Sequence, residues 1–147
     1  MRAERDSAHV NSRAGWSERW RGMRERLQHL REPKNISNPR QQQTVEMIAE
    51  ADEHFVEHCG VCHGIDGRGD TVIGKNLYPK VPDMSQPGTQ QLSDGEIYYI
   101  ISNGIRLTGM PAWGSEDKPE AIWDLVSLIR RLPKLSSEET QRLQKAA

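Results

Sequence analysis

The chain is poor in apolar residues. Of its 147 residues 35% are hydrophobic, against about 45–50% in an average soluble domain counted on a slightly different residue set. A core built from so few side chains needs a staple or a large buried surface from elsewhere. Disulfides cannot supply it generally. There are only two cysteines, both inside one pentapeptide, so no other bridge is possible within the chain. Charge of neither sign dominates: 20 Lys+Arg face 21 Asp+Glu, which excludes the basic footprint of a nucleic-acid binder. No apolar run reaches the roughly 18 residues of a membrane-spanning helix. The first residues are polar and charged, unlike a signal peptide. There is no strong strand pattern, no internal repeat and no convincing set of catalytic acid, base or nucleophile.

What is present divides unevenly. Residues 1–43 read as an arm, 44–135 as a domain and 136–147 as a polar tail helix. Residues 1–32 carry eight arginines against five acidic residues. Trp16, Trp20, Met23, Leu27 and Leu30 fall at helical spacing, an amphipathic stripe over 16–31 that Pro33 should end. Such a helix packs on its own domain, or docks to a larger complex or an anionic membrane surface. Pro33–Gln43 reads as an extended linker.

The domain reads as helical. Ile48, Ala51, Phe55 and Cys59 share one face of a helix over 44–58, with Glu46, Glu50, Glu53 and Glu57 opposite. A glycine-rich loop follows at 64–70, then a proline-bearing irregular stretch over 74–92. Ser93 and Glu96 form a capping box that opens a second helix, which Gly104 should close. Pro119 suits the first turn of a third, whose stripe is Ile122, Leu125, Val126, Ile129 and Leu132, and Pro133 ends it. Ser136 and Glu139 cap the tail helix.

The pentapeptide is Cys59-Gly60-Val61-Cys62-His63. Cys-x-x-Cys-His is the attachment signature of c-type haem. Two thiols can add to the porphyrin vinyl groups while the adjacent imidazole reaches the iron. Zinc is the competing reading, through His58, Cys59, Cys62 and His63, but four ligands within six residues cannot easily surround one ion. A thioredoxin-like dithiol needs a βαβ pattern that is absent. His63 is thus the proximal ligand, and its second ring nitrogen should donate to a carbonyl, one in the Pro79–Pro82 segment being a candidate.

A saturated iron favours electron transfer and an open one favours ligand or oxygen chemistry. Met110 is the expected second ligand. It lies in Thr108-Gly109-Met110-Pro111-Ala112-Trp113, where glycine and proline let the backbone turn the sulfur inward, and it follows the apolar helix that should wall the haem. Met84 is a minor candidate. His54 should point to the polar face of its helix and His58 to the edge, neither reaching the distal side.

Taken together, Phe55–Gly64, Leu92–Glu96, Asn103–Trp113 and Ile122–Val126 make the chain resemble a class I cytochrome c of the small bacterial periplasmic kind, over residues 44–133 in the family's order. The resemblance implies an all-α fold with helices packed around one covalently bound haem, preceded by an arm that contains an amphipathic helix. It implies that the helix at 44–58 crosses the one at 119–132, with Ala51 and Phe55 at the contact. Where the family often has an aromatic, near Leu128, this chain has leucine, which would loosen the crossing unless Trp123 compensates. Tyr78, Arg106 and Trp113 are candidates to meet the haem propionates, since a buried carboxylate needs a donor or a cation; a solvated arginine and two packing aromatics are the alternatives. Ile73, Leu77, Val81, Ile97, Ile101 and Ile105 should line the pocket.

The expectation is a monohaem carrier of single electrons between redox protein partners, alone or as a subunit of a respiratory complex, and not an enzyme. The rival is a haem-based ligand sensor or peroxidase in which Met110 leaves the iron. Haem attachment normally requires export, so a periplasmic location, or one on the outer face of the cytoplasmic membrane, is expected, with a leader or anchor missing from this chain.

Overall fold

The computed structural model describes residues 35–147. The apolar stripe of the arm lies outside them. The described residues are helical and contain no strand. In chain order the helices are α1 (Val45–His54), which runs on through a wider π turn (Phe55–Cys59) into α2 (Gly60–His63). Then come α3 (Val72–Asn76), α4 (Pro87–Gln90), α5 (Asp94–Asn103), α6 (Pro119–Arg131), a 3-10 turn (Leu132–Lys134) and α7 (Ser137–Ala146).

The caps that start these helices are the ones the sequence encodes. Ser93 Oγ accepts from Glu96 N while the Glu96 carboxylate accepts from Ser93 N, and Ser136 with Glu139 repeats the exchange. Each pair satisfies two otherwise orphaned amides. Pro119 opens α6, where a missing N–H costs nothing. The stretch over 74–92 is less irregular than its prolines suggest. Thr71 caps α3, and Pro87 starts the single turn of α4.

The core lies between α1, α5 and α6, and α7 closes it. Phe55, Ile122, Leu125, Val126, Leu128 and Leu143 are fully buried, each stabilising by about 1.5–3 kcal/mol relative to exposure. The first long helix packs on α6, with Ala51 and Phe55 buried. Leu128 is 0% exposed. Trp123 turns elsewhere and stacks on Tyr98 of α5 at 4.2 Å. Met84 is buried in the core, beside Leu132 on one side of Gly67.

Two segments that look peripheral in the sequence are pinned. The stretch before α1 is tied to α6: Asn38 Nδ2 donates to Trp123 O and Ser127 Oγ, and Arg40 grips Asp124 through two nitrogens. The polar tail helix α7 docks through Leu143 and through Arg142, which meets the buried Asp52 of α1 at 2.9 Å. Arg130 bridges Asp94 and the carbonyls of Gln90 and Leu92, fastening α5 to α6.

Candidate functional site

The site is built at the end of the first long helix. In the π turn Gly60 N donates to Phe55 O, five residues back instead of four. One extra residue per turn re-aims every side chain beyond it. Cys59 therefore lies half-buried against the core, and Cys62 and His63 follow on the next turn. The loop after the pentapeptide then folds back on it. Gly69 N donates to His63 O at 2.6 Å and Thr71 Oγ1 donates to Cys62 O at 3.1 Å. Gly74 sits so close to the Cys62 carbonyl that a Cβ there would collide with it. Gly69 has φ +69°, and a Cβ on it would fall 2.8 Å from Val81 O. Glycine is required here because the backbone of 81–82 lies against that of 69.

Burial acts on two side chains of the pentapeptide. It pushes the Cys59 thiol up to about 12, helped by the charge of Asp117 and by Cys62. Burial also pushes the His63 imidazole down to about 4, so the ring is neutral at physiological pH and has no proton to lose on binding a metal. His63 Nδ1 is buried with no hydrogen-bond partner. The expected bond from this nitrogen to a carbonyl of the Pro79–Pro82 segment is not made.

Met110 stands at the end of a tight loop that leaves α5 at Gly104. Ile105 N donates to Met110 O at 3.1 Å, and Met110 N donates to Thr108 Oγ1 at 3.1 Å. Gly104 has φ +63°, with Met110 O where a Cβ would come within 2.6 Å. Leu107 is also left-handed, φ 64°, and 96% exposed. A bulky residue in that region carries backbone strain of about 1–3 kcal/mol. The Leu77 side chain packs against Gly109, which brings the segment after α3 to the methionine.

The other expected residues are less uniform. Tyr78 and Arg106 are exposed, and Trp113 is half-buried. Ile97 and Ile101 belong to the core, Leu77, Val81 and Ile105 are half-buried, and Ile73 is exposed. His54 lies on the polar face beside Glu50, Glu53 and Glu57, as the sequence reading has it, but its side chain is only 18% exposed and lies 3.2 Å from Asp117 Oδ2. The turn at 113–117 covers it, and no helical periodicity could have announced that.

Compared with known proteins, the family described as cytochrome c oxidase, cbb3-type, subunit III matches residues 46–129, more than half of the chain. The chain belongs to this family. This cytochrome is a haem-binding, electron-transfer protein, and its cofactor is covalently bound haem c, with Cys59 and Cys62 at the attachment spacing. The residues present fit that group: two unpaired thiols on one helical turn, and beside them a neutral, buried imidazole with an orphaned nitrogen. A chain of the reducing HAO-like protein complex of Kuenenia stuttgartiensis is similar in structure, with a TM-score of 0.52 and 22% identity, covering 66% of this chain and 49% of that one. That likeness shows the cytochrome c fold, and this chain spans about half the length of its neighbour. No curated protein matches the chain.

Proposed function

We propose that this cytochrome carries single electrons with His63 and Met110 as the two axial ligands, and that it does so as a carrier or as a subunit of a larger redox complex. The observation that carries the reading is the loop over 104–110. It fixes Met110 through bonds at both its N–H and its carbonyl, and it keeps Leu107 in a strained conformation. Strain of that kind persists where the surrounding structure over-determines it, commonly at ligand clamps.

When bound, haem c supplies an iron that changes oxidation state by one electron. The chain does the rest. Cys59 and Cys62 hold the macrocycle covalently. His63 offers a neutral nitrogen, and the hydrogen bonds to the Cys62 and His63 carbonyls keep that turn rigid. Leu77, Val81 and Ile105 exclude water from the centre and favour the less charged, reduced state, and thioether ligation works in the same direction. Tyr78 and Arg106, both exposed, and the half-buried Trp113 would supply the contacts to the haem propionates. With both ligands retained there is no position for a substrate, which is the role of a carrier and not of an enzyme.

The partners are redox proteins, and the family's description as an oxidase subunit supports a place in an assembly. The chemistry of haem attachment favours the periplasm or the outer face of the cytoplasmic membrane. The test is spectroscopic, on protein matured with haem. A pyridine haemochrome of the c type and a low-spin ferric spectrum with an iron–methionine charge-transfer band are expected, and Met110→Ala should abolish that band. A high-spin ferric spectrum with rapid carbon monoxide binding in the unmodified protein would overturn the reading in favour of a ligand sensor or peroxidase.

A further inference from the structure

Beside the haem-binding turn lies a second cluster that electron carriage does not by itself require. His54 and His58, one turn apart, have ring centroids 5.0 Å apart in an edge-on arrangement. The His58 ring lies 5.2 Å from that of Trp113. Glu116 N and Asp117 N both donate to Trp113 O, at 3.0 and 2.8 Å, and this turn brings Asp117 Oδ2 back to His54 Nε2 at 3.2 Å. The four residues close a circuit, its last link made by main-chain atoms, between the helix that ends in Cys59 and the segment that follows Met110. Trp113 N in turn donates to Ile101 O, and Gly114 N to Ser102 O.

We propose that His54 is a positioning residue for the distal loop: through Asp117 and Trp113 it holds the chain after Met110 against the helix that carries the cysteines and His63, so that the iron–methionine bond depends on this contact. The inference rests on Met110 being an axial ligand, as argued above.

The physical reason is the state of Asp117. Its side chain is only 15% exposed, and Oδ2 is buried with no aligned hydrogen-bond donor. A buried carboxylate oxygen without a donor is costly, and what faces it is the His54 ring. The His54 ring offsets that cost, and removing it leaves the carboxylate buried with nothing set against it, which loosens the turn and with it the segment after Met110. The other groups facing His54 are Glu50, Glu53 and Glu57 on its own helix, together with His58. The three glutamates are exposed to solvent and so are screened by water and salt. Asp117 is not.

The experiment uses the haem-loaded full chain and follows the iron–methionine charge-transfer band and the reduction potential. His54→Ala should show a weaker band, with the open-to-ligated ratio raised about tenfold, or ~1.4 kcal/mol, and a shifted potential. His54→Lys sets a cation against Asp117 and should retain the band, a rescue that a merely structural role would not produce. His58→Ala should keep the band. If His54→Ala matches the unmodified protein while Met110→Ala still removes the band, His54 has no such role and the ligand assignment stands. If the unmodified protein shows no methionine band, the ligand assignment fails and this inference falls with it.

Discussion

The side-chain amide of Asn38 donates to the main-chain carbonyl of Trp123, 85 residues along the chain, at 3.2 Å. The same nitrogen donates to Ser127 Oγ at 2.8 Å, and Asn38 Oδ1 accepts from Arg40 N. Asn38 is 5% exposed, so its bonds are made out of water. Truncation to alanine should destabilise the haem-loaded protein by about 1–3 kcal/mol, because buried partners lose their donor. Denaturant unfolding measures this, and limited proteolysis should show earlier cleavage around residues 35–43. An unchanged midpoint would mean the segment is only laid on the surface.

Asp52 is the most consequential charge in the described fold. Its side chain is 4% exposed and is met by Arg142 at 2.9 Å and Arg131 at 3.5 Å. Removing one member of a buried ion pair costs about 3–5 kcal/mol. Asp52→Ala should approach that range, since Arg142 loses its counter-charge and Arg131 keeps only Glu139. Arg142→Ala should cost less, because Arg142 is itself partly solvated. A double-mutant cycle between positions 52 and 142 reads the coupling.

Glu139 lies below the usual carboxylate range, held there first by the Ser136 amide and further by the Arg131 guanidinium. The sign follows from the direction. The unfolded chain binds the proton more readily, so the contribution is fully present above the ordinary glutamate value of about 4.3. It is lost as pH falls through the lower folded value. Glu139→Gln should flatten the acid side of the stability–pH curve without altering stability dependence near neutrality.

Gly104 and Gly88 form a matched pair of tests. Gly104→Ala places a Cβ 2.6 Å from Met110 O at φ +63°. It should destabilise by more than about 1 kcal/mol and diminish the methionine band. Around Gly88 nothing lies within 4 Å of the added atom. Gly88→Ala should leave the band intact and stabilise by about 0.4–1 kcal/mol, provided the short helix accommodates it without strain.

Leu128 is fully buried. Leu128→Ala should cost about 2–5 kcal/mol through the cavity it leaves. Leu128→Phe, which restores the aromatic common in related cytochromes, should also destabilise, by about 1–3 kcal/mol of overpacking. A Phe variant more stable than the unmodified protein would show that the crossing of α1 and α6 has room to spare.

Much of this was legible one residue at a time. The three capping signals at Ser93, Pro119 and Ser136 act within four residues of themselves, so local sequence suffices to read them. The pentapeptide is legible because its chemistry demands a short, fixed spacing. The π turn at 55–59 is not, because a helix of either width satisfies the same apolar stripe until Cys59 must be aimed. The reading of α7 as a polar tail missed Leu143, a single buried residue in an otherwise charged helix. His54 keeps the polar face that the sequence assigns it, but its burial was not legible: helical periodicity gives a direction from the axis, but not what arrives from elsewhere to cover it.

The amino-acid sequence by itself determined the cofactor, the helical class and the order of the helices, since these depend on spacings of three to five residues. Tertiary structure alone decided which distant pieces meet: Asn38 with Trp123, Arg142 with Asp52, and His54 with Asp117. Those contacts depend on how whole helices cross and on where a loop must pass to close the chain. They join residues tens of positions apart, and nothing in the local chemistry of either partner names the other.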